Sequence, residues 1–280
     1  MNNKGLGICE WSLPIPLRGP MCCRVAHDFG LQAVELELGI TEENYALDNP
    51  YVIDLYKEER AKYDITFTGV AVNLTDFFPM VAPLGDPGRE QVEFALRKGV
   101  DAAAALDIPL IHVPSLCIFD LLSGVKDEEG MKNTSECLQR TCDYAADKGV
   151  IVCSENDFST EMQLEQIEQV NRDNFKIYFD TQNYYVNGRY TPGLIEPIFD
   201  HIAEFHVKDG YKEYISSHLV GEGGCDAFKS LEEFDRLGYT GWVILENYYA
   251  RPPLCGPDDD PYELLKKDIA IVKGWLDAHK

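Results

Sequence analysis

Four side chains able to bind metals or transfer protons stand at the ends of four apolar segments in the second half of the chain. They are Glu155 in VIVCSEN, Asp180 in FKIYFDTQN, His206 in IAEFHVKD and Glu246 in GWVILEN. Three carboxylates brought close together repel and raise each other's pKa unless a cation neutralises them. A mostly oxygen donor set with one imidazole favours Mn²⁺, Mg²⁺ or Co²⁺, and Zn²⁺ is also compatible. These four residues are therefore predicted to bind one divalent metal ion.

The segments that carry these residues belong to a unit that recurs along the chain. Each unit has a short β-branched or apolar run, a loop, an amphipathic helix and a tight return. The predicted strands are LGICEWS, AVELELG, ITFTGVAVN, PLIHVPS, VIVCSEN, FKIYFDTQN, IAEFHVKD and GWVILEN. Eight such units in 280 residues predict an α/β fold, a single (β/α)₈ TIM-barrel domain over 1–280. A doubly wound sheet is the rival architecture, but no GxGxxG turn follows the first strand.

The clearest predicted helix is DPGREQVEFALRKGVDAAAALD, with Asp86 as its N-cap and Pro87 at its first position. Apolar residues recur at helical spacing from Val92 to Ala103, so one face of this helix is expected to be buried. The segment PYELLKKDIAIVKGWLDAHK is predicted to be a similar helix at the end of the chain.

A barrel would bring the four candidate ligands together. Several strand-to-helix loops are long, such as NLTDFFPMVAPLGDPG and YKEYISSHLVGEGGC, whereas helix-to-strand returns such as LDIP are short. Long loops belong to the carboxyl-terminal face of a TIM barrel, where active sites lie. Alternation along a strand puts Glu155 in phase with Cys153 and Asp180 in phase with Tyr178, which aims the last side chain into the barrel mouth.

Composition limits the binding partners and the cellular compartment that can be expected for this protein. The formal net charge of −23 disfavours nucleic acid and favours cations. No apolar run is long enough to span a bilayer, and MNNKGLGICEWS lacks the pattern of a signal peptide. Nine cysteines without CxxC spacing predict reduced thiols, as in a cytoplasmic protein.

The ordered motifs GLQAVELEL, SEN, FDTQN, FHVKDG, GEGGCD and VILEN resemble the sugar isomerase/epimerase family with the xylose-isomerase-like TIM barrel. That family includes tagatose/psicose 3-epimerases, hydroxypyruvate isomerases, inosose dehydratases and endonuclease IV, and the resemblance extends over essentially the whole chain. Endonuclease IV fits poorly, because its three-metal site needs more histidines and its DNA substrate conflicts with the acidic charge.

The resemblance implies an activity and roles for the four residues. In the epimerase branch, the residues matching Glu155, Asp180, His206 and Glu246 hold one divalent metal, and the two glutamates also transfer protons on opposite faces of the substrate. Removal of a proton beside a carbonyl gives an enediolate, whose negative oxygens need a nearby electrophile. We therefore expect a metal-dependent isomerase or epimerase of a small polyhydroxylated ketone or aldehyde.

Further positions are predicted to contact the substrate. Asn183 stands where the epimerases usually have a substrate-contacting histidine, and Lys212 stands where they have an arginine. His218 is a candidate for a hydroxyl or carboxylate contact, and Trp11 is among the aromatic residues that either stack on a sugar or cap the barrel. Lys208 resembles the substrate-side lysine of inosose dehydratases, and the open alternative is a structural ion pair with Asp209 or Glu222.

Three other residues have simpler expected roles. Glu35 is expected either to order the residues behind the site or to pair with a helix. His112 is expected to fill the barrel, and Asp226 to cap the helix that follows GEGG.

Two other functions stay open from the sequence. A lyase or dehydratase acting on a keto-sugar or keto-inositol would share the first proton abstraction and then expel a β-substituent. A barrel without catalysis would bind a sugar or a protein partner and convert neither. Loops 73–90, 115–131 and 248–260 are expected to set the substrate, and relatives suggest a homodimer or homotetramer.

Overall fold

The computed structural model describes residues 1–15, 18–39, 45–76, 80–115 and 127–280. The barrel strands are β1 (Gly5–Cys9), β2 (Ala33–Glu37), β3 (Thr66–Ala71), β4 (Leu110–Pro114), β5 (Ile151–Glu155), β6 (Phe175–Asp180), β7 (Ile202–Val207) and β10 (Trp242–Leu245). They form a closed parallel barrel in the order β1-β10-β7-β6-β5-β4-β3-β2. The predicted α/β TIM-barrel fold is confirmed.

The barrel strands are almost continuously buried, as expected for parallel strands covered on both faces. Strands β2 and β4 are buried along their whole length. Strand β4 pairs with β5 from Leu110↔Ile151 to Pro114↔Glu155, and β10 pairs with β7 through Ile244↔His206. These registers align the carboxyl ends of neighbouring strands, where the candidate residues stand.

The helices are α1 (Met21–Asp28), α2 (Pro50–Tyr63), α3 (Pro87–Ala105), α4 (Glu128–Ala146), α5 (Thr160–Val170), α6 (Asn183–Val186), α7 (Pro192–Ile198), α8 (Ala227–Arg236) and α9 (Pro261–Ala278). The start predicted for α3 is confirmed, because the Asp86 carboxylate accepts hydrogen bonds from the backbone N–H groups of Gly88 and Arg89. The predicted C-terminal helix corresponds to α9.

The cap predicted for α8 is wrong. Asp226 occupies the N-cap position, but its backbone has φ 59°, and its side chain makes no capping hydrogen bond. An N-cap side chain reaches the first N–H groups of its helix from an extended backbone, and the left-handed conformation turns it away. The Asp226 carboxylate instead lies 3.0 Å from Lys229 Nζ.

A short antiparallel hairpin occupies part of the segment that the sequence indicated as a loop. Strands β8 (Asp209–Tyr211) and β9 (Tyr214–His218) pair through Asp209↔His218 and Tyr211↔Tyr214. Gln182, two residues after β6, anchors the hairpin: its Nε2 donates to the carbonyls of Tyr211 and Tyr214, and its Oε1 accepts from Ser216 N–H at 2.8 Å. The hairpin is therefore attached to the end of β6.

The chain divides into two compact units. The first consists of Met1–Glu35, Glu58–Phe67 and Phe179–Lys280, and the second of Leu36–Lys57 and Thr68–Tyr178. That residues 1–280 form a single domain stays a prediction. Among the residues described, no helix has the length and apolar character needed to cross a membrane.

Candidate functional site

Three of the four predicted ligands lie close together in the first unit. Asp180 ends β6, His206 is the penultimate residue of β7, and Glu246 directly follows β10. Each offers one ligand atom within 4.8 Å of those of the other two. All three side chains are buried, so little water can solvate the two carboxylates. A donor set of two carboxylates and one imidazole fits a divalent cation such as Mn²⁺, Mg²⁺ or Zn²⁺.

The imidazole of His206 has polar side chains close to both of its ring nitrogens. Its Nε2 lies 2.6 Å from Glu35 Oε2 and 3.3 Å from Cys9 Sγ, whereas its Nδ1 lies 3.3 Å from Glu246 Oε2. Burial by itself lowers the pKa of His206. The neighbouring side chains of Cys9, Glu246 and Glu35 outweigh burial and raise this pKa well above its usual value.

Glu35 thus orders the residues behind the site, which was one of its two expected roles. A carboxylate on the far nitrogen of a histidine fixes the tautomer and orientation of the ring, so that the near nitrogen is available to a metal.

Lys208 lies inside the carboxylate cluster. Its Nζ donates a hydrogen bond to Glu246 Oε2 at 2.5 Å and lies 3.3 Å from Asp180 Oδ2. The sequence left open an ion pair of Lys208 with Asp209 or Glu222, and the structure pairs Lys208 with Glu246 and Asp180 instead. The Asp209 carboxylate is occupied by backbone N–H groups that follow it in the chain, including those of residues 210 and 221.

Both oxygens of Glu246 have donors. Trp11, just after β1, donates its indole N–H to Glu246 Oε1 at 3.0 Å, and Lys208 donates to Oε2. The Trp11 ring also meets the His206 ring edge-on, with 5.9 Å between centroids. Trp11 therefore fixes the orientation of a candidate acid–base group.

The other predicted substrate contacts lie on the segments that follow β6 and β7. Asn183 is buried, and its backbone N–H donates to Asp180 Oδ1 at 2.6 Å. Lys212 is exposed in the turn of the hairpin, with its Nζ 5.5 Å from the centre of the Tyr185 ring. His218 ends β9, and its Nδ1 lies 2.9 Å from the hydroxyl of the preceding serine.

In the second unit, Glu155 ends β5 and contacts a histidine. Its Oε2 lies 2.8 Å from Nε2 of His112, and both side chains are buried. The His112 ring is also close to the Tyr178 ring, with 4.5 Å between centroids. His112 was expected only to fill the barrel. The contact with Glu155 could have been predicted from the position of His112 near the end of PLIHVPS, because β4 and β5 are neighbours and their last residues pair.

A buried polar network supports the segment directly after Glu246. The Asn247 side chain accepts from the Asp209 N–H at 3.2 Å and donates to Asp268 Oδ2 at 2.7 Å. Asp268, on α9, also accepts from the Tyr249 hydroxyl and from the Val220 N–H, each at 2.8 Å. Burial raises the pKa of Asp268 to about 6, although these three hydrogen bonds lower it in part.

Comparison with known proteins identifies the family. The family model for the xylose isomerase-like TIM barrel matches residues 23–274. The chain belongs to this xylose isomerase-like family.

Relatives in the xylose isomerase-like family are distant in sequence. An L-ribulose 3-epimerase of Methylomonas sp. is 23% identical over 218 residues, which cover 72% of each chain. A 2-epi-5-epi-valiolone 7-phosphate 2-epimerase of Actinoplanes sp. is 23% identical over 221 residues, covering 78% of this chain and 77% of the relative. The crystal structure of a D-tagatose 3-epimerase-like protein superposes with a TM-score of 0.78 at 20% identity, covering 98% of both chains.

Proposed function

We propose that this protein is a divalent-metal-dependent epimerase or isomerase of a small sugar that contains a carbonyl group. The observation that carries this proposal is the buried cluster of Asp180, His206 and Glu246 at the ends of barrel strands. The names of the two curated relatives, both epimerases, support the reaction class at low identity.

Asp180, His206 and Glu246 would hold the cation, and we propose Glu155 as the fourth ligand. Glu155 ends β5 as Asp180 ends β6. The carboxyl ends of the strands are where the active sites of TIM barrels lie, which supports this role for Glu155. When bound, the cation supplies positive charge for the oxygen that becomes negative as the proton leaves.

The two glutamates would exchange protons with the substrate. One carboxylate removes the proton from the carbon beside the carbonyl, and the other carboxyl group returns a proton to the opposite face, which inverts that carbon. Hydrogen-bonding neighbours orient both glutamates for proton transfer, since Trp11 donates to Glu246 and His112 is 2.8 Å from Glu155.

Substrate selection is assigned to residues around these groups. We propose that Lys208, Lys212, Asn183, His218 and Trp11 contact the substrate, since polar and aromatic side chains suit hydroxyl groups and sugar faces. Of the loops expected to set specificity, residues 77–79 and 116–126 lie outside the described part of the chain. Cytoplasmic localisation and assembly into a dimer or tetramer remain predictions from the sequence.

The test is a panel of ketoses and aldoses incubated with the protein in D₂O and followed by NMR. We expect one substrate to gain deuterium at the carbon beside its carbonyl and to yield its epimer or isomer. A chelator should abolish the exchange, and Mn²⁺ should restore it. Loss of water from the substrate would indicate a lyase instead, and thermal stabilisation by a sugar without exchange would indicate a binding protein.

A further inference from the structure

Lys208 occupies the part of the cluster that a metal ion would need. Its ammonium group contacts one oxygen of Glu246 at 2.5 Å and one oxygen of Asp180 at 3.3 Å. The same Glu246 oxygen lies 3.3 Å from His206 Nδ1. Lys208 Nζ thus contacts Asp180 and Glu246, and the Glu246 oxygen that it contacts is also the one nearest to His206.

A divalent cation and this ammonium group compete for the same negative charge. Metal–oxygen distances in such sites are about 2.0–2.6 Å, so a cation bound to these oxygens would lie within a few ångströms of Nζ. Lys208 is only 3% exposed, and water therefore screens the repulsion between the two cations poorly.

The backbone of Lys208 is fixed while its side chain has single bonds to rotate. The Thr181 hydroxyl donates to the Lys208 carbonyl at 2.7 Å and accepts from the Lys208 N–H at 3.0 Å. Release of Glu246 and Asp180 by the ammonium group would therefore involve rotation about the side-chain bonds of Lys208, and its backbone hydrogen bonds to Thr181 would be kept.

We propose that Lys208 is a built-in competitor of the divalent cation: it pairs with Asp180 and Glu246 in the metal-free protein and must release them when the metal binds. This inference rests on the proposed metal site. A competing lysine would make metal binding weak and exchangeable. It would also keep the carboxylates of Asp180 and Glu246 paired in the metal-free protein.

Substitution of Lys208 should tighten Mn²⁺ binding if Lys208 competes with the metal, whereas a purely structural role predicts unchanged or weaker binding. In the chelator-treated full-length protein, Lys208→Met should tighten Mn²⁺ binding at least about tenfold, because a competing charge is removed. The same change should lower the Tm of the metal-free protein by at least about 4 °C, because two buried carboxylates lose their cation. Titration calorimetry and the electron paramagnetic resonance signal of free Mn²⁺ measure the affinity.

Two further variants complete the experiment. Lys208→Gln should shift the affinity in the same direction and serves if Lys208→Met does not fold. Lys229→Met removes an exposed lysine that pairs with Asp226 and should leave Mn²⁺ affinity within about threefold of wild type.

The outcomes distinguish the two proposals. Unchanged or weaker Mn²⁺ binding in both Lys208 variants overturns the competitor role, while Mn²⁺ binding by the wild-type protein still supports the metal site. Failure of wild type and both variants to bind Mn²⁺, Mg²⁺, Co²⁺ or Zn²⁺ overturns the proposed function as well.

Discussion

His206 Nε2 lies 2.6 Å from Glu35 Oε2, and both side chains are fully buried. The pair joins β7 to β2 inside the first unit and leaves Nδ1 on the side of Glu246. A carboxylate in this position orients the imidazole and increases its basicity toward a metal.

We predict that Glu35→Gln weakens Mn²⁺ binding by about 10- to 100-fold, the usual effect of losing such a partner. The matched control is Cys9→Ala, because Cys9 contacts the same ring nitrogen at 3.3 Å. Burial raises the pKa of the Cys9 thiol well above its usual value. Calorimetric titration should show affinity within about threefold of wild type for Cys9→Ala. Equal losses in both variants would refute an electrostatic role for Glu35.

Glu246→Gln should lower kcat by at least about 100-fold on the substrate found in the exchange experiment, because the amide cannot accept or return the proton. It should also weaken metal binding. Trp11→Phe is the matched comparison: it keeps an aromatic ring but removes the hydrogen bond to Glu246 Oε1. We expect a loss of about tenfold for Trp11→Phe, since one hydrogen bond to a charged group is lost. Near-wild-type turnover in Glu246→Gln would exclude Glu246 as an acid–base residue.

The fold and the positions of the candidate ligands at strand ends could be predicted from the sequence for a physical reason. Parallel strands buried on both faces are continuous apolar runs, so the first polar residue after each run marks the strand end. This reasoning placed Asp180, His206 and Glu246 on neighbouring strand ends, where the structure has them.

Side-chain partners were harder to infer, because proximity along the chain is a poor guide to an ion pair. Asp209 is the neighbour of Lys208, yet its carboxylate turns toward the backbone N–H groups of Gly210 and Gly221. Lys208 instead reaches Glu246, 38 residues away. The fold, and not the sequence around Lys208, brings Glu246 to it.

The hairpin was missed because its strands are short and lack a regular apolar pattern. Strand β8 has three residues and β9 begins with two exposed ones, so neither has the apolar periodicity that indicates a strand. The hairpin depends on Gln182 and on Gly210, where an added Cβ would lie 2.8 Å from the backbone nitrogen of Ser217. Such contacts between distant segments leave no local pattern.

The buried carboxyl group of Asp268 should make stability depend on pH. Burial raises its pKa in the folded protein to about 6, whereas an unfolded Asp titrates near 3.9. The folded state therefore binds the proton more tightly, and stability from this group is full below about pH 4 and lost as pH rises through about 6. We predict a fall of roughly 3 kcal/mol in its contribution across that window.

Urea unfolding of wild type and Asp268→Asn between pH 4 and 7 isolates this contribution, since other groups titrate alike in both proteins. As pH rises, the unfolding free energy of wild type should fall relative to that of Asp268→Asn. Tyr249→Phe, which removes one donor to Asp268, should keep the pH dependence. A difference between wild type and Asp268→Asn that is constant with pH would contradict the prediction.

Arg89 should be a main determinant of stability in the second unit. Its guanidinium group is fully buried and donates to Glu93 and to the backbone carbonyls of Met80, Ala82 and Asn133, at 2.9–3.1 Å. Arg89→Met would leave these carbonyls and Glu93 Oε1 without the Arg89 donor, although Arg140 still donates to Glu93 Oε2 at 3.2 Å. Because several buried acceptors lose a charged donor at once, we expect a loss of about 3–5 kcal/mol in the free energy of unfolding.

A second arginine on the same helix provides the control for Arg89→Met. Arg97 also approaches Glu93, at 3.7 Å, but its side chain is 43% exposed. Exposed pairs contribute little, so Arg97→Met should change the free energy of unfolding by no more than about 1 kcal/mol. Denaturant unfolding of both variants measures the contrast. Similar losses would mean that charge, rather than the buried hydrogen bonds of Arg89, governs stability around Glu93.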